Sequence, residues 1–157
     1  MKRTKTITQA AIIAALYVVL TFVANAMGLA SGAIQIRLSE ALTILPYFTP
    51  AAIPGLFVGC LISNILVGGA LFDIIFGSVA TLLGALGTYL LRKSKWLTPI
   101  PPILSNTIIV PLVLIYAYGV SDALPYLMLT VGIGEVISAG VLGMILLKSL
   151  EKHKDIF

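Results

Sequence analysis

Ile34-Gln35-Ile36-Arg37-Leu38-Ser39-Glu40-Ala41-Leu42-Thr43-Ile44-Leu45-Pro46-Tyr47-Phe48 places an arginine and a glutamate three residues apart in a chain otherwise almost free of charge. On an α-helix that spacing puts Arg37 and Glu40 on one face, close enough to pair. Within a membrane such a pair is expensive to hold and marks a functional site. The plainer reading is a structural ion pair that pins two helices together.

Composition decides that a membrane is the right solvent. Of 157 residues, 59% are hydrophobic and only 10% charged, and the mean hydropathy is +1.10. Soluble domains carry about 25% charged residues, so the chain reads as an integral membrane protein. Its net charge of +4 comes from short basic clusters between apolar runs. Those clusters encode topology and do not point to a nucleic-acid partner. Cys60 stands alone, which excludes a disulfide framework and a dithiol redox motif. The first apolar run is too long for a signal-peptide core and lacks a small-residue cleavage site, so none is expected.

Outward from the opening stretch, the pattern predicts an all-α bundle of six transmembrane helices in one domain, residues 1–157. The expected helices cover roughly 7–27, 33–48, 50–67, 70–91, 100–118 and 124–150. Pro50 suits the first turn of the third, and Pro54 bends it unless it too falls within that turn. Gly68-Gly69 and Ser121-Asp122 mark loops. Basic residues gather in Lys2–Lys5, Arg92–Lys95 and Lys148–Lys154. Short basic loops stay cytoplasmic, so an even number of crossings separates each pair of clusters, and both termini are inside. Two crossings plus a re-entrant hairpin through the proline region keep the same parity.

That topology sorts the polar residues by depth. Arg37, Glu40, Asn64 and Asp73 fall near the outer face and Glu135 near mid-membrane, so the five are expected to line a pocket open to the outside. The four ionisable members carry a net −2 when all are charged, which suits a cationic or donor-rich ligand. Each has a plainer role: Asp73 as a helix N-cap, Asn64 as a bond to a neighbouring helix, Glu135 as a structural carboxylate. In the first helix, Ala10 with Ala14 and Ala11 with Ala15 form small-xxx-small pairs that admit a close partner helix, from another chain or from this one.

Several chemistries are missing. His153, the only histidine, lies in the polar tail, so no histidine metal or catalytic site forms in the membrane. No phosphate-binding glycine loop, His-Glu-x-x-His or Gly-x-Ser-x-Gly motif occurs. The chain is expected to be neither an enzyme nor a holder of metal or cofactor, and it cannot drive uphill transport with ATP alone.

Ile36–Leu42, Leu45-Pro46, the Pro54-Gly55 helix and Gly69-Ala70-Leu71-Phe72-Asp73-Ile74-Ile75-Phe76-Gly77-Ser78 resemble the QueT family of queuosine-precursor transporters. The resemblance covers nearly the whole chain, though the last helix matches mainly in character. It implies the substrate-binding (S) subunit of an energy-coupling factor (ECF) importer in a bacterial plasma membrane. Such a subunit captures a 7-deazaguanine, such as preQ1 or queuine, from outside. Its implied partners are a membrane coupling protein and two ATPase subunits, with the first-helix Ala-x-x-x-Ala motif contacting the coupling protein. The resemblance fixes no ligand contacts. The competing readings are an S subunit for another vitamin-like solute, an independent secondary transporter or channel, and a small enzyme acting on lipid.

Overall fold

The computed structural model describes residues 2–153, so Lys154 of the third basic cluster lies outside the described residues. Six main helical segments and a short 3-10 turn, Lys95–Leu97 just ahead of the fifth, follow one another, and no strand occurs among the described residues. Helix α1 spans Lys2–Ala26, beginning five residues before the apolar run because its first turns are polar but uninterrupted by Gly or Pro. A 3-10 helix covers Leu38–Tyr47, and α2 covers Ala52–Leu66. A π-helical turn, Asp73–Gly77, leads into α3, Ser78–Leu90. Helix α4 spans Ile100–Tyr118. The C-terminal helix runs as α5 (Leu124–Glu135), a π segment (Val136–Leu142) and α6 (Gly143–Glu151).

Four of these segments are long and apolar enough to cross a membrane: Arg3–Ala26, Asp73–Leu90, Lys95–Tyr118 and Leu124–Glu151. Large apolar side chains such as Ile12, Val19, Leu83, Leu104 and Leu129 stand exposed around the outside. In water that surface would be a liability, whereas in lipid it faces its own kind.

The expected helix over 33–48 is the main difference. Residues up to Arg37 form a loop, and Arg37 itself is extended, with φ −98 and ψ 96. The ten-residue 3-10 helix that follows is about 20 Å long, short of the roughly 30 Å hydrocarbon core. Runs of this kind rarely exceed one turn. Here Pro46 has no N–H to give an i−4 carbonyl, and the Thr43 hydroxyl donates to the Glu40 carbonyl at 2.6 Å. Ser39 through Pro46 are all buried, packed by α1, α3 and the C-terminal helix. Arg37 therefore precedes the helix and shares no helical face with Glu40. The one ion pair within 4.0 Å among the described residues is Lys95–Glu151.

Helix α2 packs closely along α1. A Cβ on Gly55 would stand 2.7 Å from the Ala10 carbonyl oxygen, and one on Gly59 would stand 2.9 Å from the Ala14 Cα. Ala10 and Ala14 thus meet a Gly-x-x-x-Gly face within the same chain. Ala11 and Ala15 lie on the exposed side of α1. Pro54 falls in the first turn of α2, where no helical hydrogen bond is lost.

Three contacts define one end of the bundle. Thr49 Oγ1 bonds Gln9 Oε1 at 3.2 Å, Tyr47 donates to Glu151 at 3.5 Å, and Lys95 reaches the same carboxylate. The start of α1, the 91–97 corner and the end of α6 are therefore neighbours, and the basic clusters gather at that end.

Candidate functional site

At the opposite end a cavity of about 230 Å³ opens among α1, the loop before the 3-10 helix, α2, the π turn and the end of α4. Pockets for drug-sized ligands measure roughly 300–1,000 Å³, so this one fits a smaller solute. Its wall is polar for a membrane protein. Tyr17, Thr21 and Asn25 line it from α1, Gln35, Arg37 and Ser39 from the loop and 3-10 start, and Ser63 and Asn64 from α2. Asp73 and Tyr118 complete it.

Arg37 and Asp73 are the charged groups on this wall. The π turn carries Asp73, whose Oδ2 accepts from the Tyr118 hydroxyl at 2.9 Å. That hydroxyl accepts in turn from the Ala70 backbone N–H at 3.1 Å. The Asn64 amide donates to the Asp73 backbone carbonyl at 3.2 Å. Gly77 leaves space for this arrangement, because a Cβ there would stand 2.9 Å from Asp73 Oδ1. Arg37 is held through its backbone, whose N–H donates to Ser138 Oγ at 3.0 Å. The π segment of the C-terminal helix carries Ser138. Both π segments thus serve the cavity, one supplying Asp73 and the other seating Arg37. Such irregularities concentrate at functional sites.

Of the residues picked from sequence, Arg37, Asn64 and Asp73 line this cavity, while Glu40 and Glu135 stand outside its lining. Glu40 is fully buried. It accepts hydrogen bonds from the Tyr17 hydroxyl, from Thr81 Oγ1 at 3.3 Å and from Asn106 Nδ2 at 3.1 Å. These donors come from α1, α3 and α4, so Glu40 ties three helices beneath the cavity floor. Glu135 is also buried, and its Oε2 has no hydrogen-bond partner. Asn106, which donates to Glu40, is also near Glu135. Arg37 remains within electrostatic reach of Asp73, Glu40 and Glu135, so a cation on the wall faces a negative field from behind.

Tyr17, Thr21, Gln35 and Tyr118 were not picked from sequence. For Tyr17, Thr21 and Asn25 a signal existed: spacings of four put three polar side chains on one face of an apolar helix. Tyr118 has no local signal, since its role depends on α4 ending beside the π turn. No group of His, Cys, Asp and Glu able to hold a metal occurs among the described residues.

A bundle of apolar helices with a small cavity at one end, lined by polar side chains, defines a helical membrane protein with room for a small solute. The sequence pattern of the QueT transporter family matches residues 7–152. The chain belongs to that family, which is a family of transporters and not of enzymes. It is 39% identical over 98 residues to the queuosine precursor transporter QueT of Lactococcus lactis subsp. cremoris (strain MG1363). That alignment covers 60% of this chain and 57% of the relative, little over half its length. No solved structure matches the chain.

Proposed function

We propose that this protein is the substrate-binding subunit of an ECF-type importer and captures a queuosine precursor, a 7-deazaguanine such as preQ1 or queuine. The observation that carries the reading is the cavity between Arg37 and Asp73, at the end of the bundle away from the basic clusters. Basic loops remain cytoplasmic, so the cavity faces outward and both termini face inward, in the plasma membrane of a bacterium. A deazaguanine edge offers adjacent N–H and NH2 donors that one carboxylate accepts together, and an aminomethyl group adds a cation. Asp73 supplies that carboxylate, Arg37 donates to the base carbonyl, and Asn64 steadies Asp73. Glu40 and Glu135 act from behind the wall, Glu40 by fixing Tyr17.

The chain carries no nucleotide-binding motif, so energy comes from partners: a membrane coupling protein and two ATPase subunits. Ala11 and Ala15, exposed on α1, offer the coupling protein a shallow strip. The name of the Lactococcus relative supports the substrate class. Mass spectrometry of small molecules co-purifying with the protein in detergent tests the reading. A 7-deazaguanine is the expected result, and retention of an unrelated vitamin in its place would overturn it.

A further inference from the structure

The corner between α3 and α4 carries a second constellation, remote from the cavity and independent of what the cavity holds. Trp96 is 63% exposed. Two ammonium groups approach its ring, Lys95 Nζ at 5.9 Å and Lys148 Nζ at 5.4 Å, both within the roughly 6 Å reach of a cation–π contact. They come from different elements, so folding assembles the arrangement. Glu151 neutralises Lys95 at 3.3 Å. Lys148 has no carboxylate partner among the described residues, which leaves one uncompensated cation at the indole.

The surroundings select the kind of partner. Immediately after Trp96, Leu97 and Ile100 are 42% and 41% exposed, at the start of the apolar span Lys95–Tyr118. An exposed indole between charges and a lipid-facing surface is the usual occupant of a membrane–water boundary. Lys148 also points away from α1. Leu146 and Leu150 line a groove with Ile12 and Leu16 of α1, and Lys148 stands two residues from each, about 200° around the helix. The cation therefore faces a different side from the exposed Ala11 and Ala15.

We propose that Trp96, Lys148 and Lys95 form a binding site for the phosphodiester headgroup of an anionic phospholipid. The Lys148 ammonium supplies the charge. The indole N–H and the remaining Lys95 protons supply further donors, and the acyl chains lie along Leu97 and Ile100. Basic pockets of this kind at the cytoplasmic boundary suit acidic lipid headgroups.

Native mass spectrometry of the full chain, titrated with phosphatidylglycerol or phosphatidylcholine, tests the site. One phosphatidylglycerol should be retained in preference to phosphatidylcholine. Lys148→Gln should lower that preference about fivefold, the loss of one interfacial cation. Trp96→Phe keeps a ring but removes the N–H, and should lower it less. Lys93→Gln makes the same charge change at an exposed lysine of the same corner and should leave the preference intact. An equal loss with Lys93→Gln would reduce the effect to general surface charge and overturn the proposal, as would the absence of any preference in the unmodified protein. If Lys148→Gln instead prevents co-purification of ATPase subunits while lipid retention is unchanged, the surface is a protein contact and the lipid assignment fails.

Discussion

The backbone N–H of Arg37 donates to the Ser138 hydroxyl at 3.0 Å, joining residues 101 positions apart. This bond fixes where the loop after α1 meets the C-terminal helix, and so where the arginine enters the cavity wall. Ser138 is fully buried, so no water replaces its oxygen when it is removed. Ser138→Ala should leave the N–H of Arg37 without its acceptor and weaken ligand binding by roughly 1–3 kcal/mol. Titration calorimetry of the purified variant measures this. Affinity equal to that of the unmodified protein would show that the Arg37 side chain finds its position without the bond.

Glu40 and Asp73 should fail in different ways when neutralised. Glu40 receives donors from Tyr17, Thr81 and Asn106, and Glu40→Gln turns one acceptor into a donor facing another donor. A buried polar group left unsatisfied costs about 1–3 kcal/mol, so the variant should melt earlier. Asp73→Asn lies on the cavity wall and should chiefly weaken binding, by about 1.5–3 kcal/mol if a charge-assisted bond is lost. Paired melting and binding curves separate the two. A normal melting temperature for Glu40→Gln would remove Glu40 from the bundle's support.

The membrane class, the loops and the polar residues worth watching were legible because they depend on composition and local pattern. Arg37, Asn64 and Asp73 could be placed near one end by counting residues along apolar runs. The pairing of Arg37 with Glu40 could not be judged that way, because it assumed α-helical geometry through a stretch that packing and Pro46 hold as a 3-10 helix. The two π segments were equally hidden. Each adds a residue to a turn, and the glycines within them, Gly77 and Gly140, do not distinguish a π turn from an α one; each is recognisable only by what it reaches: Tyr118 from Asp73, Arg37 from Ser138.

The charge distribution around the cavity makes a prediction about ligand class. One cation, Arg37, is set among Asp73, Glu40 and Glu135, so an added anion gains little from Arg37 and is opposed by the carboxylates. A neutral or cationic deazapurine should therefore raise the thermal stability of the protein more than folate, pantothenate or biotin at equal concentration, since a ligand that binds only the folded state stabilises it by mass action. The reverse order would refute the substrate class while leaving the fold untouched.

The small-residue strips on α1 allow the coupling role to be tested against a packing role. Ala10 and Ala14 face Gly55 and Gly59 of α2 so closely that a single added Cβ on either glycine meets α1 backbone. Ala11 and Ala15 lie on the other, exposed side and touch no such groove. Their methyl groups, one turn apart, form a shallow track that another chain's helix can approach, and dispersion across such a contact falls steeply with any added gap. Ala14→Trp should prevent folding, because the ring has nowhere to go in a buried position. The double substitution Ala11→Trp with Ala15→Trp should fold and bind ligand normally, since the cavity lies toward the far end of α1. It should nevertheless abolish ATP-dependent uptake and co-purification with the ATPase subunits. Uptake assays in cells expressing the whole importer, run beside binding assays on the isolated chain, check both halves. Loss of binding along with uptake would show that this strip also supports the fold. Unchanged uptake would mean that the chain does not couple through α1.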